Sequence, residues 1–226
     1  KDTRLITKTP QAGNIREEKK NDTMGTIEWT LSNGAKVIIK SYPTKKDIVD
    51  IKGFSQGGTS TLPEEELSNG FMANNFCQLM GVKNFSRSDL KQINVGKVIS
   101  ITPEIGEYHE TLSGYAAKRD LETLMQMIHL YVTEPNFDQQ EFNHQIEKIK
   151  STLNNRKGLP KAEYSQEIRG VKYNQHPRKT SMTLEKANTI TFEKTKQIYQ
   201  ERFANAGDFT FIFTGDIELE KLKPLV

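Results

Sequence analysis

Hydrophobic and polar positions alternate through "GTIEWTLSNGAKVIIKSY", residues 25–42, around Asn33-Gly34, with Val37, Ile38 and Ile39 as one apolar run. A period of two around an Asn-Gly dipeptide predicts a β-hairpin, because these residues accept the positive φ of a tight turn. "DIVDIKGFSQGG" (47–58) continues as a third strand ending at Gly57-Gly58. After Pro63 the period lengthens to about 3.6 residues. The acidic run Glu64, Glu65, Glu66 suits a helix start, where backbone N–H groups lack partners. This places "LSNGFMANNFCQLMGV" (67–82) on a helix, with Asn69, Asn74 and Asn75 set among apolar groups against helix propensity.

"SRSDLKQIN" (86–94) predicts a short helix capped by Ser86, with Asp89 three residues on. "KVISITPEIGEYHETLSGYA" (97–116) returns to alternation and predicts two more strands. Two long amphipathic helices follow, one with the stripe Leu121, Leu124, Met125, Ile128, Val132, the other with Phe142, Ile146, Ile149, Leu153. The second opens on a capping box, Asp138 with Glu141, just beyond Pro135. "PKAEYSQEIRGVKYN" and "TFEKTKQIYQERFA" add helices, "DFTFIFTGDI" is a buried strand, and "ELEKLKPLV" begins a helix that the chain cuts short. The order predicts an α+β fold, a mainly antiparallel sheet with helices packed on one face. Residues 1–23, with Leu5 and Ile6 as their only adjacent large apolar pair, read as a linker, disordered or extended, and 24–226 as the domain, truncated at its C-terminal end.

Composition narrows the function classes. With 35% hydrophobic residues in 226, the chain can bury a core. Its 32 basic and 29 acidic side chains leave a net charge of +3, too weak a field to call for nucleic acid. No apolar run approaches the roughly 18 residues of a membrane span, and residues 1–22 lack the apolar centre of a signal peptide. The single Cys77 excludes an internal disulfide and any multi-cysteine metal site, and reads as a small buried hydrophobe.

Candidate chemistry is sparse. A helical zinc site needs two ligands three or four residues apart, and no two of His109, His129, His144 and His176 satisfy that. His144 and Glu147 begin an H-x-x-E-H spacing, but Lys148 stands where the second imidazole belongs and would repel a divalent cation. Gly57-Gly58 has no third spaced glycine to cradle phosphate, and Ser113-Gly114 lacks the second glycine of a nucleophile elbow. Read from the residues alone, the domain carries no catalytic centre.

The run "LSNGAKVIIK", the glycine-rich strand end, a helix closing "LMGVKNFS", then "ISITPEIGEYHETLSGYAAKRDLETLMQMIHLYVTEP", "NNRKGLPKAEYSQEIRGVKYNQHPR" and "RFANAGDFTFIFTGDIELEKLKPLV" together resemble the pitrilysin (insulinase-like, M16) zinc peptidase family, over nearly all of residues 26–226. The resemblance implies a LuxS/M16-metallohydrolase-like half, one of two related halves that face each other around a peptide-degrading chamber. Active halves of the family carry H-x-x-E-H on the helix after the third strand. Counting back from the closing glycine puts Met72, Asn75 and Phe76 near those places, and no histidine occurs between residues 53 and 108. The resemblance is therefore to the non-catalytic, C-terminal half, with no catalytic residue, metal ligand or cofactor of its own. It implies zinc in a missing catalytic half, on the same polypeptide or a partner subunit, a peptide substrate, and an intact zinc metalloendopeptidase of which this chain alone is inactive. The alternative is an enzymatically inactive scaffold or protein-binding subunit with the same fold. Family members add substrate as a strand to a sheet edge, and "VISITPE" (98–104) looks like such an edge because Pro103 has no N–H for an inner neighbour. This nominates Ile99, Ser100, Ile101 and Thr102 as substrate-binding residues. The family's arginine and tyrosine near the substrate find only Tyr115 and Arg119 here, in reversed order, and the role is not carried over. The implied address is bacterial periplasm or cell envelope.

Overall fold

The computed structural model describes residues 5–7, 10, 12–42 and 46–226. Among these, nine strands run in chain order as β1 (Ile15–Asn21), β2 (Thr26–Leu31), β3 (Lys36–Ser41), β4 (Ile48–Gln56), β5 (Gly81–Val82), β6 (Ile99–Ile105), β7 (His109–Ala117), β8 (Pro135–Asn136) and β9 (Thr210–Gly215). The α-helices are α1 (Leu67–Cys77), α2 (Arg87–Ile93), α3 (Leu121–Thr133), α4 (Gln139–Arg156), α5 (Pro160–Lys172), α6 (Leu184–Asn188), α7 (Phe192–Phe203) and α8 (Leu219–Leu222). Seven strands form one sheet in the order β1-β2-β3-β9-β4-β7-β6, while β5 and β8 pair separately. Every pairing in the large sheet is antiparallel except β3 with β9.

Alternation fixes which face is covered. Trp29, Val37, Ile39, Val49, Ile51, Leu112 and Phe213 are buried, while their strand neighbours Lys36, Lys40, Asp50, Lys52, Ser113 and Tyr115 are exposed. Side chains on a strand point to opposite faces in turn, so one face carries the helices and the other is open. This is the α+β sandwich that the hydrophobic pattern predicts.

The hairpin forms at Asn33-Gly34, with Gly34 at φ 99° and the Ala35 N–H bonded to the Asn33 side chain at 3.0 Å. Position in the sheet is another matter: β9, the clearest buried strand in the sequence, inserts between β3 and β4, so these consecutive strands are not neighbours. The segment read as linker supplies β1, paired antiparallel along β2, and Leu5 from the same segment lies in the core.

Caps behave largely as their chemistry demands. Ser86 and Asp89 form a reciprocal capping box at α2. The Asp138 carboxylate accepts from the N–H groups of Gln140 and Glu141 at 2.8 and 3.1 Å, but Glu141 takes its hydrogen bond from the Gln145 side chain at 2.7 Å instead of reaching back. On α3, Leu121, Leu124 and Ile128 are buried as expected, joined by Met127, Leu130 and Tyr131, whereas Met125 and Val132 pack only partly. The stripe is wider than one face because α3 meets both the sheet and α7.

A chain of aromatic rings ties the helical layer to the sheet. Phe76 of α1 meets Phe142 of α4 edge-on at 6.0 Å and stacks with Phe137 at 5.9 Å. Phe137 meets Tyr199 at 5.4 Å, Tyr199 stacks on Phe203 at 4.6 Å, and Phe203 stacks on Phe209 at 5.9 Å, beside β9. The Tyr199 hydroxyl donates to the Tyr131 carbonyl at 3.0 Å, which satisfies a polar group in an apolar layer. Truncating Phe76→Ala should cost about 3–5 kcal/mol, since it removes a fully buried ring from this chain of contacts. The midpoint of a urea unfolding curve checks it.

Candidate functional site

The outer edge of β6 is built by hydrogen-bond parity. The Ala117 N–H donates to the Val98 carbonyl at 2.8 Å, and the Gly106 N–H donates to the His109 carbonyl at 2.9 Å. Even-numbered residues between them therefore face β7, because an antiparallel strand directs successive backbone groups to opposite sides. The N–H groups of Ile99 and Ile101, and the carbonyls of Ile99, Ile101 and Pro103, point away from β7. Among the described residues no strand lies on that side. Pro103, which has no N–H, occupies an outward position where the β7 ladder loses nothing.

Of the four residues nominated from sequence, Ile99 and Ile101 thus present backbone to the free side of the edge. Ser100 and Thr102 pair with Tyr115 and Ser113 of β7 and turn half-buried side chains to the open face. Ile101 is only 7% exposed, its side chain packed in the core. The approach of β6 to β7 depends on Gly114, where a Cβ would collide with the Ser100 carbonyl.

The edge runs into a groove of about 1080 Å³, walled by Leu67, Phe71 and Asn74 of α1, by residues 104–107 at the end of β6, and by a rim drawn from residues 177–189. The opposite lip is clamped from three directions. The Arg178 guanidinium donates to the carbonyls of Thr59 and Leu62, both at 2.6 Å. Arg202 donates to the Thr61 hydroxyl at 2.6 Å. Buried Glu110 accepts from the Gly58 N–H at 3.0 Å, with the Arg202 Nε 3.7 Å from the same oxygen. A Lys179–Glu107 ion pair at 2.6 Å fastens the rim to the hairpin that joins β6 and β7.

Two of the three asparagines of α1 fasten the helix to its neighbours. Asn69, 5% exposed, accepts from the Thr191 N–H at 2.9 Å and so binds α1 to the start of α7. Asn74 accepts from the Ile105 N–H at 3.0 Å, joining α1 to the edge strand. Asn75 is half-buried.

The counted positions Met72 and Phe76 turn into the core, at 0% and 1% exposure, whereas Phe71 is 45% exposed and lines the groove with Asn74. The groove side of α1 is therefore marked by Phe71 and Asn74, the first and fourth places of an H-x-x-E-H spacing that begins one residue upstream of Met72, Asn75 and Phe76, with half-buried Asn75 at the fifth. A phenyl ring and two amides do not fit zinc, whose protein ligands are imidazole, thiolate and carboxylate. Among the described residues no group of three His, Cys, Asp or Glu is placed to hold a metal. His144 is exposed on α4. Cys77 lies buried with its Sγ 3.2 Å from the Ala73 carbonyl, and burial pushes its thiol far above the ordinary range. Tyr115 is exposed on the open sheet face, and Arg119 is exposed beside Asp120 at 3.6 Å.

Arg178, Arg202 and Glu110 gave no sequence signal, because their partners lie 119, 141 and 52 residues away. Phe71 and Asn74 could have been found by asking which helix positions remain once Met72 and Phe76 are assigned to the core.

No profile of a known protein family matches the chain. It is 24% identical over 221 residues to a probable zinc protease PqqL of Haemophilus influenzae, covering 96% of this chain and 23% of that one. The crystal structure of the periplasmic protease PqqL from Escherichia coli superposes with a TM-score of 0.84 at 19% identity, over 98% of this chain and 25% of that one. A peptidase M16 inactive domain from Pseudomonas fluorescens superposes with a TM-score of 0.64 at 16% identity, over 88% of this chain and 48% of that one. The chain spans about a quarter of the length of the curated relatives it matches. The likeness to zinc proteases thus holds in sequence, and the likeness in fold extends to M16 domains, an inactive one among them.

Two expectations follow. Phe71→His should cost less than about 1 kcal/mol, as surface changes usually do, whereas Met72→His should cost about 2–5 kcal/mol through lost packing and a buried polar ring. Denaturant midpoints of the two variants decide the register of α1. The second concerns pH. The hydrogen bond from Lys179 holds the Glu107 carboxyl below its usual 4.5, and the same bond holds Lys179 above its usual 10.5. A depressed carboxyl loses its contribution as pH falls through the folded value, and a raised ammonium loses its own as pH rises past 10.5. Cleavage of the 177–189 rim in limited proteolysis should therefore rise below pH 4.5, and Glu107→Gln should show the raised rate already at neutral pH.

Proposed function

We propose that this chain is the non-catalytic half of an M16-type zinc metallopeptidase, closing the chamber and holding extended peptide along the outer edge of β6. A partner half, on the same polypeptide or a separate subunit, supplies the zinc and the general base. The observation that carries this reading is the pair of outward backbone N–H groups at Ile99 and Ile101, lying beside a helix whose groove-facing positions hold Phe71 and Asn74 in place of metal ligands.

The chemistry of such a site is main-chain pairing. An added strand exchanges N–H and C=O groups with alternate residues of the edge, which makes binding tolerant of sequence while side-chain pockets supply preference. Each bond contributes about 0.5–1.5 kcal/mol net, so two fully exchanged residues and one further carbonyl hold a peptide weakly and reversibly. That suits a surface that must release its products. The exposed Phe71 ring, on the wall that the peptide would pass, offers apolar contact. One further part of the reading rests on a relative: the periplasmic location of the Escherichia coli protease supports the same address for this protein. No described helix is long and apolar enough to cross a membrane.

Proline scanning tests the edge. Ile99→Pro deletes an outward N–H and leaves the β7 ladder whole, so it should weaken binding of a fluorescent unstructured peptide about tenfold, equivalent to ~1.4 kcal/mol, with the fold retained. Ser100→Pro deletes an inward N–H and should unfold the β6–β7 pairing. Unchanged peptide anisotropy titrations for Ile99→Pro would overturn the edge as the binding surface.

A further inference from the structure

The β6 edge is finite, and one side chain marks where it stops. Going along the strand, Ile99 and Ile101 turn free donors outward, Pro103 has none to give, and the next outward N–H, that of Ile105, is already taken by the Asn74 side chain at 3.0 Å. Because the partner is an N–H, the Asn74 amide must present its oxygen to the strand. Its NH₂ group is thereby turned elsewhere, and Asn74 lines the groove. An amide that accepts with one end has two donors left at the other, and Ile105 is two residues along the strand from Pro103, the outward position where proline has removed a donor.

We propose that Asn74 terminates the peptide ladder on β6, its Oδ1 closing the Ile105 N–H to substrate and its Nδ2 donating to the peptide carbonyl that Pro103 cannot serve. The inference rests on the edge-binding reading given above and deepens it. Asn74 is here a positioning residue: it sets the register at which a bound chain leaves the sheet and enters the groove. The paired segment spans residues 99–103, so about five peptide residues are held. Beyond them the chain passes between the Phe71 wall and the acidic hairpin that carries Glu104 and Glu107.

The test uses capped alternating Val-Thr peptides of five and seven residues, with the chain as it stands, reading peptide anisotropy and amide hydrogen exchange by NMR. For the wild type, both peptides should bind with equal affinity, protect the Ile99 and Ile101 amides, and leave the already slow Ile105 amide unchanged. Asn74→Asp keeps an acceptor for Ile105 and loses the donor. It should keep Ile105 slow and weaken both peptides about tenfold, an effect that a merely structural contact would not produce. Asn74→Ala should make Ile105 exchange fast in the free protein, and the seven-residue peptide should then slow it and bind about threefold to tenfold better than the five-residue one. Binding by Asn74→Asp equal to wild type, or a preference of the wild type for the longer peptide, would overturn the role of Asn74 alone. If neither peptide protects Ile99 and Ile101 in the wild type, the edge-binding reading fails and takes this inference with it.

Discussion

The burial of Phe76 is the constraint on which the site depends. Its ring lies between Phe137 and Phe142, within a line of aromatic contacts that runs from Phe192 on one side to Phe209, beside β9, on the other. A helix has one rotational setting once a large residue is locked into a core, since positions one and four residues away are then fixed in direction. With Phe76 and Met72 inward, Phe71 and Asn74 must look at the groove. Rings of this size also resist repacking, because interiors are as dense as organic crystals and leave no room for a rotated alternative. The α1 wall of the groove is thus a consequence of apolar packing on the other side of the same helix.

Around that helix the asparagines act as fasteners. Asn69 ties α1 to α7, and Asn74 ties it to β6. Short amides are well matched to this role, because they reach backbone groups at strand and helix ends that would otherwise lie buried without a partner, at a cost of about 1–3 kcal/mol each. The rim obeys the same logic with charges. Arg178 directs its planar fork at two carbonyls of the facing lip, a geometry that lysine could not match. These contacts give the groove its shape through the protein's own hydrogen bonds.

The open face of the sheet and the free edge of β6 are what remain once the helices have covered the apolar side. A sheet edge is a hazard for a protein in isolation, since it templates pairing with other chains. Two features blunt it here, Pro103 within the strand and Asn74 over its end. Both shorten the pairing surface without abolishing it. An edge limited in this way offers a few backbone bonds and no more, which favours short extended segments over whole strands of a neighbouring protein.

Local chemistry was legible in the sequence. The Asn33-Gly34 hairpin, the Ser86 box, the Asp138 cap, the buried "DFTFIFTGDI" strand and the edge marked by Pro103 each depend on residues a few positions apart, and period and propensity act over that range. The absence of ligand spacing among the histidines was equally local. Tertiary structure alone decided the rest. It placed β9 between β3 and β4, because strand order is set by which apolar faces meet and not by proximity in the chain. It brought β1 out of a segment that composition marks as linker, since an edge strand needs one partner and little hydrophobicity. It put Phe71 and Asn74 on the groove side of α1 in place of Met72 and Phe76, because a helix buried on most sides carries no stripe from which its orientation could be read. Only the ring contacts of Phe76 with Phe137 and Phe142, residues far along the chain and on other elements, could choose among the settings.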